Sequence, residues 1–196
     1  TFVVHYGAAR ELTKDDISED AIKNSKIIHI EGYMFDDPKT KQISFHALTL
    51  AKKHKKIISF DIADPGVVTR NRDEFQLIIN DYANIIFANE SEAKALTGKE
   101  PEESVHDLAK NNKIVVVKLG EHGSLIKKGD TIIKIAAVKT KVIDTTGAGD
   151  AYAAGFLHGF TEEKSLEECG KMGAQLAAKV ISQIGARLKP QIIKKF

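Results

Sequence analysis

The sequence predicts an α/β fold, a mostly parallel sheet flanked by helices, with an antiparallel hairpin before a glycine-rich loop. Three observations carry that prediction. Short segments rich in Ile and Val alternate with longer segments of helical period, which is the pattern of βαβ units. Those apolar segments are continuous, as suits strands covered on both faces. After Leu119 the pattern changes to two alternating runs around Lys128-Gly129-Asp130, as suits a hairpin with Gly-Asp in its turn.

Taken in order, the chain opens with the β-prone run 1–6, without an initiator Met or a leading turn, and so reads as cut at the front. A helix is expected over 15–24 and a strand over 26–30 (KIIHI). A helix over 40–54 then leads to a strand over 56–61 (KIISFD), and one over 72–82 to a strand over 84–88 (NIIFA). Helices over 90–96 and 102–111 precede a strand over 114–119 (IVVVKL). Asp, Asn or Thr opens most of these helices and good helix formers fill them. The hairpin pairs 124–127 with 131–138, and Val142 and Ile143 lead into the glycine-rich turn. Helices over 148–160 and 166–184 close the chain, with Gly185 expected to cap the second. Pro38, Pro65, Pro101 and Pro190 fall at loops or element ends.

With 196 residues, a net charge of +2 and 42% hydrophobic residues, the chain has the means to bury a core as one domain. Near-neutral charge argues against the broad basic field of nucleic-acid binders. The basic run Lys52-Lys53-His54-Lys55-Lys56 has no interleaved aromatics and reads as a solvated helix end, so no nucleic-acid partner is expected. No run approaches the ~18 apolar residues of a membrane span, and no membrane partner is expected. Cys169 is the single cysteine, which excludes an intrachain disulfide and a zinc ribbon and fits a cytoplasmic location. The seven histidines include no i, i+4 pair; His122 lies in the turn after the 114–119 strand, while His5, His29, His46, His54, His106 and His158 read as surface or packing residues.

The most informative stretch is VIDTTGAGDAYAAGFLHGF, residues 142–160. Gly147, Ala148 and Gly149 at a helix start leave backbone N–H groups uncovered, and these form a site for a phosphate or a developing phosphoryl charge. Asp150 stands beside it, placed to accept or orient a hydroxyl proton. On residue types alone the stretch is equally an acidic first-turn residue after a flexible loop. A dinucleotide fingerprint fails, because its third glycine position falls on Tyr152, and no Walker A sequence occurs.

The run Asp144-Thr145-Thr146-Gly147-Ala148-Gly149-Asp150, followed by Ala-Tyr-Ala-Ala-Gly-Phe, resembles the C-terminal signature of the ribokinase-like (PfkB) carbohydrate and nucleoside kinases. Asn89-Glu90-Ser91-Glu92 resembles the family's N-x-x-E segment. Lys118-Leu119-Gly120-Glu121-His122-Gly123 resembles its nucleotide-contacting strand end and turn. The resemblance covers residues 1–196 as the later portion of a single ribokinase-like domain, with no counterpart of the early acceptor-binding and lid portion. It implies an ATP- and Mg²⁺-dependent phosphotransferase acting on a hydroxymethyl group, as a monomer or homodimer. By that resemblance Asp150 is the catalytic base and Gly147, Ala148 and Gly149 the anion hole. Asn89 and Glu92 organise magnesium-bound water and phosphate oxygens, and Lys118 to Gly123 lie along the nucleotide.

Read from the residues alone, Asn89 is a helix N-cap with Glu92 as its capping-box partner, and 118–123 is a strand end with a tight turn. Asp144 and Thr146 fall where some relatives hold a monovalent cation such as K⁺. Ala174, Ala177 and Ala178 give the last helix a small face, for close packing or for an adenine ring. Tyr33, the segment 59–65 (SFDIADP), Arg70-Asn71-Arg72 and the last helix resemble adenosine kinase-like members, which makes a nucleoside the expected acceptor with a sugar as the alternative. A nucleotide-binding remnant without turnover is the other alternative.

Overall fold

Residues 7–188 are described by the structure, a computed structural model. The predicted strand over 1–6, His5 and Pro190 lie outside them. The chain divides into two compact units, Thr1–Lys99 and Glu100–Phe196.

In the first unit β1 (Ile27–Glu31), β2 (Ile57–Asp61) and β3 (Ile85–Asn89) run parallel, with Ile27 opposite Ile57 and Ser59 opposite Ile85. Parallel neighbours require helical crossovers. α2 (Pro38–Lys53) supplies the first, and α3 (Pro65–Arg70) with α4 (Arg72–Asp81) the second. Asp37 caps α2 by accepting from the amides of Lys39 and Thr40, and Asp64 caps α3 through Gly66 and Val67. Pro38 and Pro65 follow these caps at first-turn positions, where a missing N–H is harmless. The core centres on Phe35, Phe60 and Phe75, all buried, with edge-to-face ring contacts 5.1–6.0 Å between centroids. Gly32 is obligatory beneath this cluster, since a Cβ there would fall 2.4 Å from the Ile62 carbonyl oxygen.

In the second unit β4 (Ile114–Lys118), β5 (Ser124–Lys128) and β6 (Thr131–Ile135) pair antiparallel, with Val116 opposite Ile126 and Ile126 opposite Ile133. Antiparallel pairing therefore starts one strand before the expected hairpin. Gly129 turns that hairpin at φ 55°. Its second arm ends at Ile135 rather than Val138. α6 (Pro101–Leu108) packs on β4 and β5. α7 (Ala148–Thr161) and α8 (Leu166–Ile181) pack on each other through glycines: a Cβ on Gly155 would meet the Met172 carbonyl oxygen at 2.7 Å, and one on Gly173 the Tyr152 carbonyl oxygen at 2.8 Å. Ala174 and Ala178 are buried in the same helix and Ala177 is half-buried, which fits the packing reading.

Other boundaries differ from expectation, and the helix over 102–111 ends at Leu108, with Asn111 at φ 61° beyond it. The helix over 15–24 is broken: a 3-10 turn (Lys14–Asp16) precedes Ser18, whose side chain caps the shorter α1 (Glu19–Asn24) by accepting from the Ala21 amide at 3.1 Å. α3 was not foreseen, because six residues containing Gly66 give no helical period. α8 stops at Ile181 with Ser182 at its end, so Gly185 is not its cap. Gly185 instead turns the chain at φ 86° and donates its N–H to Asp144 Oδ2 at 2.9 Å. No helix among the described residues is long and apolar enough to cross a membrane.

Candidate functional site

The loop before α7 is organised by Asp144. Its Oδ1 accepts from the Thr146 amide and its Oδ2 from the Gly185 amide, both at 2.9 Å. Hydrogen bonds from the Thr146 side chain, the Gly185 amide and the Thr146 amide hold its carboxyl below the usual range. Gly147 then adopts φ 79° at the N-cap of α7, a conformation that suits glycine, and a Cβ there would also lie 2.6 Å from that of Ala186. Having no side chain, Gly147 leaves the helix start without a side-chain cap. The helix begins with the Ala148 amide on Thr145 O at 3.1 Å and the Ala151 amide on Gly147 O at 2.9 Å.

Lys118, at the end of β4, brings a cation to this helix start: its Nζ lies 3.1 Å from the place a Cβ on Gly149 would take. An ammonium beside a helix N-terminus joins two positive poles, an arrangement suited to an anion between or beside them. Asp150, exposed in the first turn, adds a carboxylate at the same end. Leu119 to Gly123 form a tight turn in which the Leu119 amide donates to Gly123 O at 2.8 Å, with Gly120, Glu121 and His122 exposed. Gly123 sits at φ 90°, and a Cβ there would fall 1.9 Å from the Ile135 carbonyl oxygen, so the position takes glycine alone.

Tyr152, the residue that spoils a dinucleotide fingerprint, is buried and bonds Ser124 Oγ at 2.7 Å, tying α7 to β5. Burial pushes its hydroxyl up to about 12, against a hydrogen bond from Ser124 that lowers it. Close approach at this point comes from Gly173 of α8, on which the Tyr152 ring rests.

In the first unit Asn89 ends β3 and begins α5 (Glu90–Thr97). Asn89 and Glu92 form a complete capping box. The Asn89 amide donates to Glu92 Oε2 at 2.7 Å, Asn89 Nδ2 donates to Oε1 at 2.6 Å, and the Glu92 amide returns to Asn89 Oδ1 at 2.9 Å. Ser91 Oγ donates to the same Oδ1 at 2.7 Å. That oxygen thus holds two donors, as many as its lone pairs take. Glu92 is only 3% exposed.

The residues that resemble adenosine kinase-like members hold helices. Asp61 is buried and accepts from the Ala63 amide, Asp64 caps α3, and Arg70 makes a two-pronged contact with Asp36 at 2.8 and 2.9 Å. Arg72, to which sequence reasoning gave no role, donates to the carbonyl oxygens of Leu96 and Ala95. No local pattern signals that contact, since its partners are backbone atoms 23 and 24 residues away. Tyr33 is exposed.

Residues 1–192 match the family described as pfkB family carbohydrate kinase. The chain is 34% identical over 191 residues to an uncharacterized sugar kinase of Archaeoglobus fulgidus, covering 94% of this chain and 72% of that protein. It is 30% identical over 181 residues to a 5-dehydro-2-deoxygluconokinase of Listeria monocytogenes, covering 88% of this chain and 55% of the relative. Among solved structures, an adenosine kinase from Sinorhizobium meliloti superposes with a TM-score of 0.89 at 38% identity, covering 94% of this chain and 57% of that one. The chain thus spans little more than half the length of the latter two.

Proposed function

We propose that the chain, which belongs to the pfkB family of carbohydrate kinases and has its ribokinase-like α/β fold, forms the phosphoryl-transfer portion of an ATP-dependent kinase acting on a hydroxymethyl group. One observation carries this reading: the uncapped start of α7, held open by Gly147, with the Lys118 ammonium against Gly149 and Asp150 in the first turn. In it the acceptor hydroxyl oxygen bonds the γ-phosphorus, the bond from that phosphorus to ADP breaks, and Asp150 takes the hydroxyl proton. The amides at Gly147 and Gly149 and the Lys118 ammonium stabilise charge on the transferring group, while the Ala148 amide, already donated to Thr145 O at 3.1 Å, shapes the loop and is not free for it as the sequence suggests. Leu119 to Gly123 line the nucleotide.

The capping box fits a hard cation that keeps its water. Mg²⁺ would neutralise phosphate charge there. In this reading the Glu92 carboxylate would accept hydrogen bonds from metal-bound water. Asn89 Oδ1 is saturated, so its role is that of a donor, through Nδ2, to a phosphate oxygen. Asp144 and Thr146 are assigned to a K⁺-type cation, whose charge the Asp144 carboxylate, held below the usual range by its bonds from Thr146 and Gly185, would balance.

The 38% identity to an adenosine kinase supports a nucleoside acceptor. The 5-dehydro-2-deoxygluconokinase relative favours a second reading, a sugar or sugar-acid acceptor. Phosphorylation of adenosine, ribose, fructose and 5-dehydro-2-deoxygluconate with Mg-ATP decides between them. A kcat/KM highest for adenosine supports the first reading, one highest for a sugar or sugar acid the second, and transfer to none of the four refutes both.

A further inference from the structure

The Arg70-Asn71-Arg72 run has no part in the proposed chemistry, yet it ties three helices of the first unit together. Arg70 anchors α3 to Asp36, buried Asn71 bonds back to Val67 O, and Arg72 opens α4. The Arg72 guanidinium reaches the far end of α5, Nη1 donating to Leu96 O at 2.8 Å and Nη2 to Ala95 O. Among the described residues these two carbonyls are its partners.

The last carbonyls of a helix lack donors of their own. In α5 the Gly98 amide, at φ 76°, supplies Lys94 O at 2.7 Å, and Arg72 supplies the next two. A cation at this pole is also favoured by the helix dipole. α5 has eight residues, a length of about 12 Å. Two turns do not sustain a helix by themselves, so a restraint at one end is felt at the other. The other end is the Asn89–Glu92 capping box.

We propose that Arg72 is a positioning residue: by holding the C-terminal carbonyls of α5, it keeps the Asn89 and Glu92 side chains in the geometry that a metal-bound phosphate requires. This rests on the metal reading of Asn89 and Glu92 above. A planar fork bridging two carbonyls is not reproduced by the single ammonium of lysine, so Arg72→Lys should restore part of the restraint only.

The test uses the full chain with Arg72→Gln, Arg72→Lys and Glu92→Gln. In the metal-free protein, hydrogen exchange at the Asn89 and Glu92 amides, both donors within the box, should quicken about tenfold in Arg72→Gln and less in Arg72→Lys, with Phe60 in β2 unchanged. The magnesium concentration for half-maximal rate should rise several-fold in Arg72→Gln while the acceptor KM stays constant. Unchanged exchange at the box overturns the inference, as does faster exchange with an unchanged magnesium requirement. A raised acceptor KM in its place would make Arg72 a substrate contact and overturn it too. Glu92→Gln separates the two levels, since an unchanged magnesium requirement there sinks the metal reading itself, whereas a raised one beside an indifferent Arg72→Gln sinks only the role of Arg72.

Discussion

Asp150 occupies a position where a carboxylate is comfortable when ionised, because the first turn of α7 presents the positive pole of the helix. Replacing it with Asn preserves size and polarity but removes the capacity to accept a proton. Asp150→Asn is expected to lower kcat by about 10²–10⁴-fold with little change in ATP affinity. Near wild-type turnover of the variant would dismiss Asp150 as the base. Tyr152, two residues on, has a consequence for stability. Its hydroxyl is raised to about 12 by burial, while an unfolded tyrosine ionises near 10, so folding favours the neutral form. That stabilisation is complete below pH 10 and is lost as pH rises from 10 towards 12, an effect on the order of a few kcal/mol at most. Tyr152→Phe has no such group to ionise, but it leaves buried Ser124 Oγ without its partner, a cost of about 1–3 kcal/mol at neutral pH. Urea unfolding at pH 8, 10 and 11 should show the wild-type advantage shrinking as pH rises. A constant difference would refute the argument.

The packing of α7 on α8 depends on which atoms face each glycine. At Gly155 the obstacle to a Cβ is backbone, the Met172 carbonyl at 2.7 Å, whereas at Gly170 it is side chain, Ile126 Cδ1 at 2.5 Å and Ile135 Cγ1 at 2.6 Å. Backbone cannot step aside without moving a helix, but an isoleucine side chain can change rotamer. With the same propensity gain of up to about 1 kcal/mol at both sites, Gly155→Ala is expected to destabilise by about 1–3 kcal/mol beyond that gain, and Gly170→Ala by clearly less, since its side-chain neighbours can yield. Equal losses in thermal melts would contradict the distinction. These glycines show how much of an element is legible in sequence. The helix over 148–160 and most of the following one are visible as runs of small and apolar residues. Their mutual approach is not, because it depends on register between two helices. The break at Ser18 and the short α3 are hidden for another reason: caps and turns of three to six residues are decided by single side-chain bonds, which carry no period.

At the scale of the whole chain, the alternation of apolar and helical segments was sufficient for the α/β class, since five of the six strands among the described residues carry adjacent Ile or Val residues. The loop from Asp144 to Asp150 was legible as well, because glycine, aspartate and threonine have local meanings that survive without coordinates. What needed coordinates was the meeting of remote residues, Lys118 with Gly149 and Asp144 with Gly185. Those meetings make a prediction about the intact fold. A ligand that binds only the folded state stabilises it by about 2.7 kcal/mol at a hundredfold excess over Kd, which for a chain of 196 residues corresponds to about 5–10 °C in Tm. Mg-ATP should give such a shift, and NAD should not, since Tyr152 occupies the place of the third glycine. Lys118→Met removes the cation beside the start of α7 while keeping a flexible side chain of similar length, and its shift is read against its own ligand-free melting. Its response to the same concentration of Mg-ATP should fall well short of the wild-type shift. A full shift in the variant would show that the helix start and the lysine do not bind phosphate together, and the role of Lys118 would have to be withdrawn.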